Sequence, residues 1–402
     1  MTSIGIGVFT APEAGGAYQY TRAMLEAASV ICSRYQNEYE FTVYSMYPLW
    51  EEICKNIGVR FKLLKNSKGK KIIYHIGHIL GRIGLDNTTL YNQHPLWEMY
   101  DEDKLDLMII TSPTWYGKPK GKKCIIPIFD LMHRYIDFEE VGGGNIGKER
   151  DRRYMSICTH ADGILTDSKL GVMQVIDCYG DNVKNLIAKT YALPFIVPDY
   201  IKPDAKGEAV SVPDKYILYP AQFWKHKNHI NLLKAVAELK KQGMDIRLVF
   251  TGTNKNAASD IENAIKENEL STNIINLGYV SDEQLVYLYK HARAMIFPSF
   301  GGPTNIPPLE AMALGCPVAV SNNFAMPEQV GSAGLTFAPD DIDGMADCMR
   351  RMWNDDELCE KLSKNGLERS KLWTVNEFAE ALCDIIKSVE GGGLNATTSD
   401  NN

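Results

Sequence analysis

Residues 297–317 read FPSFGGPTNIPPLEAMALGCP. An apolar strand end at 295–297 runs into a loop of Gly, Pro, Thr and Asn. The loop opens a short helix at 306–314, which Gly315 stops, and a second apolar strand follows at 317–320. Strand, loop, helix and strand in this order are the repeating piece of a parallel α/β sheet. A helix N-terminus leaves backbone N–H groups free and carries the positive end of the helix dipole, which suits an anion such as a diphosphate. Glu310 is expected in the first turn, within reach of a sugar hydroxyl on the same ligand. An ordinary capped connection in any α/β protein has the same features, so the rest of the chain must decide between the two readings.

The pattern extends in both directions. Strands are expected at 216–219, 246–250, 274–277 and 294–297. The helix at 229–242 turns Leu232, Leu233, Val236 and Leu239 inward and ends at Gly243. Nearer the N-terminus, strands are expected at 4–9, 41–44, 107–110, 124–129 and 163–166. A helix follows Gly15 and Gly16, with Tyr20, Met24, Ala27, Ala28 and Ile31 on one face. The proline-rich stretch 194–212 separates the two series. The fold class is therefore α/β, with two facing Rossmann-like domains and a cleft between them. The expected bounds are 1–198 for the first domain, 199–212 for the linker and 213–372 for the second domain. A C-terminal helix at 373–390 crosses back to the first domain, and 391–402 is a disordered tail. Ligands of such sheets bind at the carboxyl ends of strands, where Gly15–Gly16, Thr251–Gly252 and the 301–305 loop all fall.

Composition narrows the class of function. A chain of 402 residues exceeds one ordinary core, and 45% hydrophobic with 23% charged residues is globular. No apolar run reaches the length of a membrane span, and the first residues read as strand and turn rather than as a signal peptide. Nine cysteines without CxxC or zinc spacing read as reduced core residues of a cytoplasmic protein. The net charge of −7 argues against general nucleic-acid binding. Residues 55–85 hold eight basic residues and no acid, interleaved with Ile and Leu, which suggests an anionic membrane surface or a polyanionic acceptor.

Four stretches carry a resemblance: YPAQFWKHKNHINLLKA (219–235), NLGYVSDEQLVYLYKHARAMIFPS (276–299), GGPTNIPPLEAMALGCPVAVSNN (301–323) and MPEQVGSAGLTFAPDD (326–341). They resemble the retaining glycosyltransferases of family 4, which have the GT-B fold. IPIFDLMHRYIDFEE (126–140) and ADGILTDS (161–168) match more loosely. WTVNEFAEALCDIIKSV (373–389) resembles the family's last helix.

The resemblance implies a donor site for a nucleotide diphosphate sugar, GDP-, UDP- or dTDP-linked. Of the family's Arg and Lys five apart, the Lys is kept as Lys227 and the Arg is replaced by Gln222. Of its two Glu eight apart, the later is Glu310, the ribose contact in relatives, and the earlier is replaced by Gly302. The amides of Thr304, Asn305 and Ile306 would face the phosphates, and Tyr279 would lie against the base. Gly15 and Gly16 would serve as a phosphate or acceptor-side loop. In the family's acceptor segment Phe129 stands where relatives carry His before Asp130, and His133 could replace that His. Capping or packing under a loop is nearly as good an account of His133. Lys225, His226 and His229 read as a phosphate-side polar surface, and neither Asp-x-Asp triplet follows an apolar strand, so no metal and no tightly bound cofactor are expected.

The implied reaction is retaining transfer of a hexose to a hydroxyl of a glycan or lipid-linked acceptor in cell-surface polysaccharide synthesis. It would proceed by the front-face route, cytoplasmic or peripheral on the inner face of the membrane, without nucleic acid. A non-hydrolysing nucleotide-sugar epimerase and a catalytically inactive sugar-nucleotide-binding subunit are the alternatives.

Overall fold

The computed structural model describes residues 1–11, 15–64, 94–302 and 304–391, and they divide into two compact units. The first comprises Met1–Arg134, Gly144–Phe195 and Val375–Asn402; the second comprises Tyr135–Gly143 and Ile196–Thr374. Most of the basic run 55–85 lies outside the described residues. Of its described members, Arg60 pairs with Glu40 and Lys62 with Asp103.

The first unit holds seven strands: β1 (Thr2–Val8), β2 (Tyr39–Ser45), β3 (Arg60–Leu63), β4 (Leu107–Ile110), β5 (Cys124–Pro127), β6 (Gly163–Thr166) and β7 (Thr190–Ala192). All pairings are parallel, in the order β3-β2-β1-β4-β5-β6-β7. Parallel strands covered by helices on both faces need near-continuous apolar side chains. LMII in β4 and CIIP in β5 supply them, every residue buried. The helix Val375–Glu390 belongs to this unit and packs on Gly16–Arg34. It buries Phe378, Leu382 and Ile386, each worth roughly 1.5–3 kcal/mol of apolar transfer. Lys123 Nζ donates to the last carbonyls of that helix, Val389 O at 3.1 Å and Glu390 O at 2.8 Å, where a cation also suits the helix dipole.

The second unit has six parallel strands: β8 (Ile217–Pro220), β9 (Leu248–Thr251), β10 (Ile274–Asn276), β11 (Ala294–Phe297), β12 (Val318–Ser321) and β13 (Gly334–Phe337), in the order β10-β9-β8-β11-β12-β13. Both units thus turn about a switch point, between β1 and β4 in one and between β8 and β11 in the other. Open sheets of this kind take ligands at the carboxyl ends beside that point.

Two boundaries differ from the expected ones. Residues 199–212, expected as a linker, pack on the second unit, whose longer segment begins at Ile196. Ile201 is buried in its core, Glu208 N donates to Glu283 O at 3.0 Å, and Lys290 Nζ donates to Pro203 O at 2.6 Å. The second difference is the nine residues Tyr135–Gly143. They fall between first-unit elements in sequence and join the second unit in space.

Candidate functional site

Two loops border the switch point of the second unit, one after β8 and one after β11. Buried polar side chains hold them together. Asn228, in the left-handed region at φ 63°, donates through Nδ2 to Pro298 O at 2.9 Å and to Pro339 O at 2.6 Å. Phe300 N donates to His226 O at 2.8 Å, and Ser321 Oγ donates to Ser299 O at 2.6 Å. Asn tolerates this backbone conformation because its short amide can bond locally. Asn228 is thus both the turn that starts helix His229–Lys241 and the tie between the loops.

This frame brings Lys227 and Asn305 together. Lys227 Nζ donates to Asn305 Oδ1 at 3.1 Å and sits 5.1 Å above the Phe297 ring. Asn305 is the N-cap of helix Ile306–Ala313. Its own amide does not face open space: Asn305 N donates to Gln329 Oε1 at 3.0 Å, and Gln329 Nε2 returns a bond to Asn305 O at 2.6 Å. Pro307 and Pro308 follow Ile306 and carry no N–H. The start of this helix therefore has fewer amides to present than the sequence suggested, because Asn305 N is taken and Pro307 and Pro308 have none. Gly302 has φ +100°, and a Cβ there would meet the Asn305 side chain at 2.7 Å. A side chain at 302 would need the Asn305 amide to shift and would be strained by the positive φ in any case.

Glu310 lies beyond the first turn of its helix and points inward, 4% exposed. Tyr200 donates to Oε1, and Tyr289 donates to Oε2 at 2.7 Å. Burial raises the Glu310 carboxyl above its ordinary range, and the two hydroxyls oppose that shift. The expected contact with a sugar hydroxyl is thus already made by tyrosine. Gln222 accepts from Trp224 Nε1 at 2.9 Å, and Tyr279 is 79% exposed, open to a flat partner. His229 is not part of a polar surface. It is buried among Tyr219, Phe223 and Phe250, and neither ring nitrogen closes a hydrogen bond. Burial first, then Lys227, lowers its pKa to about 3.

The candidates of the first unit are differently placed. Gly15 takes φ 56° and Gly16 opens helix Gly16–Arg34, so a side chain at Gly15 would be strained. Asp130 accepts two bonds from Arg150 Nη2, at 2.7 and 2.9 Å. The His133 side chain is 1% exposed, and its Nε2 lies 3.0 Å from Asp151 Oδ1. Arg134 Nε at 2.7 Å and Tyr179 OH at 3.0 Å reach the same oxygen. The Nε2 of His133 is thus engaged, while its Nδ1 is buried with no hydrogen-bond partner. Burial lowers its pKa, and Asp151 only partly restores it.

Sequence reasoning missed Glu140. Its Oε1 accepts from His226 N at 3.0 Å and lies 2.9 Å from His226 Nδ1, and its Oε2 accepts from Asn256 Nδ2 at 2.9 Å. Glu140 ends the loosely matching stretch 126–140, but nothing there set it apart from Glu139, and charged pairs are common on solvated turns.

Residues 202–369 match the family described as glycosyl transferases group 1. These residues form a group 1 glycosyl transferase domain. The domain contains every donor-side candidate named above. O-antigen chain mannosyltransferase B of Escherichia coli is 31% identical over 236 residues, 55% of this chain and 61% of that protein. A serotype-specific mannosyltransferase of Escherichia coli is 28% identical over 219 residues, 52% of this chain and 27% of that protein. The chain thus spans less than two thirds of the curated relatives it matches. Among solved structures, sucrose-phosphate synthase from Thermosynechococcus elongatus has a TM-score of 0.69 at 17% identity, covering 97% of this chain and 100% of that one. Anabaena HepE, solved with UDP and glucose, has a TM-score of 0.69 at 13% identity, covering 96% and 100%. The group 1 domain and its companion unit share the GT-B fold with these proteins.

Proposed function

We propose that the chain is a retaining glycosyltransferase that moves a hexose from a nucleotide diphosphate sugar to a hydroxyl of a glycan or lipid-linked acceptor in cell-surface polysaccharide synthesis. The observation that carries this reading is the meeting of Lys227 and Asn305 at the switch point of a group 1 domain. A diphosphate leaving group gains negative charge as the glycosidic bond breaks. A lysine already held beside a helix N-terminus meets that charge without reorganising. Lys227 would exchange its neutral amide contact for phosphate, and the Ile306 amide would add a second donor. Tyr279 would cover the base. Among the described residues no side chain stands as an evident nucleophile, which favours the front-face route over a covalent intermediate. Mannose is the hexose the curated relatives suggest. Among the described residues no helix is long and apolar enough to cross a membrane. The basic run 55–85 supports a peripheral seat on an anionic leaflet.

The test offers the full chain GDP-, UDP- and dTDP-linked hexoses, mannose first, and follows both nucleotide and sugar. Slow release of nucleoside diphosphate from one donor, faster with acceptor glycan, is the expected result. Isomerised donor without release would mark an epimerase instead. Binding without turnover, with and without acceptor, would mark an inactive sugar-nucleotide-binding subunit.

A further inference from the structure

The nine residues Tyr135–Gly143 lie on the loops that border the second unit's switch point. Phe138 is 5.5 Å from Phe300, in the loop after β11, and 6.3 Å from His226, in the loop after β8. Tyr135 is 6.1 Å from Phe324, in the loop after β12. These ring contacts seat the short helix Glu139–Gly142 so that Glu140 reaches the 3-10 turn Lys225–Lys227.

That turn begins with amides that its own N-cap does not satisfy, because Trp224 provides no side-chain acceptor. Distant side chains satisfy them instead. Lys225 N donates to Asn256 Oδ1 at 3.1 Å, and His226 N donates to Glu140 Oε1 at 3.0 Å. Asn256 Nδ2 then bonds the other oxygen of Glu140 at 2.9 Å, closing the arrangement. A carboxylate that accepts backbone N–H groups makes one of the stronger caps available to a turn. Burial alone would raise the Glu140 carboxyl, but the bonds from His226 and Asn256 hold it at about 2, so it stays ionised. The next residue is Lys227, whose side chain goes to Asn305.

We infer that Glu140 is a positioning residue for the donor diphosphate: it fixes the turn that aims Lys227 at the phosphate. This rests on the proposed function. Both carboxylate oxygens are engaged, so Glu140 acts through the turn and does not touch the reacting atoms. The chain thereby supplies the donor loop with a carboxylate from the segment that directly follows Asp130 and His133 in sequence.

Hydrogen exchange and calorimetry on the full chain test the inference. In Glu140→Ala, exchange at the amides of Lys225 and His226 should rise at least about tenfold, as expected for losing one charge-assisted contact. Affinity for whichever of GDP, UDP or dTDP binds the wild type best should fall by a similar factor, with the melting transition little changed. Glu140→Gln keeps one acceptor oxygen and should recover most of both. Asn256→Ala should show the same pattern at smaller size and serves if the first variant folds poorly. Unchanged exchange in Glu140→Ala would overturn the clamp. Tighter diphosphate binding in that variant would overturn the inference too, by showing that the carboxylate stands where a phosphate would go. If none of the three nucleotides binds the wild type, the proposed function fails, while the exchange measurement still decides the clamp.

Discussion

At the carboxyl end of the first unit's sheet, Arg150 faces Asp130, and His133, Arg134 and Tyr179 converge on Asp151. At the same end of the second unit, Lys227 meets the neutral side chain of Asn305. The strand plans are alike, so the fold does not cause the difference. Carboxylate pairs are charge-assisted and costly to break. A lysine–amide contact can be exchanged for an anion at much smaller loss. On the proposed function, the charged motif in the first unit braces the fold, and Lys227 in the second exchanges its bond to Asn305 for a phosphate.

Replacing Lys227 should have the largest effect. Lys227→Ala removes the exchangeable cation and should slow nucleoside diphosphate release by about ten- to a hundredfold, or about 1.5–3 kcal/mol. The melting transition should stay in place. Near-normal turnover in this variant would erase the contrast between the units.

Asp151→Ala probes the opposite side. Three donors would lose their common acceptor, and stability should drop by about 1–3 kcal/mol. Chemical denaturation measures that loss, and diphosphate affinity should not change. If binding or turnover fell while stability held, the network at His133 would be acceptor machinery and not bracing.

What the sequence made legible follows the same physics. Central strands such as β4, β5, β11 and β12 are buried along their whole length, and their apolar runs were readable. The strands not anticipated, β3, β7 and β13, are all sheet edges. Their partly exposed residues, RFKL in β3 for example, leave no continuous apolar signal. Lys227 and Glu310 stood out through motif spacing. The surroundings of Glu310 did not, because they depend on Tyr200, 110 residues away, and on Tyr289. Glu140 was invisible for a related reason: its meaning comes from a nine-residue excursion into the other unit.

Each unit also buries a neutral histidine, and pH tells them apart. His94 in the first unit is lowered by burial to about 4, and His229 in the second to about 3. Below about 6.5 the unfolded chain takes up protons that the folded chain refuses until these lower values. Stability is therefore complete above neutral pH and falls as pH drops from about 6.5 toward 4, by at most about 1.4 kcal/mol per pH unit for each histidine. His94 Nδ1 accepts from Leu96 N at 3.2 Å, so its replacement also loses a cap. His229 has no such bond to lose. His229→Leu should recover about 1–2 kcal/mol of stability at pH 5 relative to the wild type, with little change at pH 8. Denaturation at the two pH values measures this. Equal losses in wild type and variant would mean that the His229 ring is protonated in the fold.

The smallest effect expected concerns Glu310, the one donor-side group that resembles the bracing of the first unit. Tyr200 and Tyr289 each occupy one of its oxygens. Tyr289 is buried in the core, whereas Tyr200 belongs to the stretch 196–212 and is the easier of the two to displace. Tyr200→Phe leaves ring packing intact and frees Oε1. Stability should fall by about 1 kcal/mol, the net worth of one hydrogen bond. If a ribose hydroxyl takes Oε1 when nucleotide binds, it no longer has to displace the tyrosine, and affinity for the nucleoside diphosphate should rise by up to the same amount. A 2′,3′-dideoxynucleoside diphosphate, which lacks those hydroxyls, should show no gain. Calorimetry with both ligands on both proteins decides the point. A gain with both ligands would place the effect outside the ribose. A loss with both would show that Tyr200 is itself a donor contact, and Glu310 would then belong with the bracing residues rather than with Lys227.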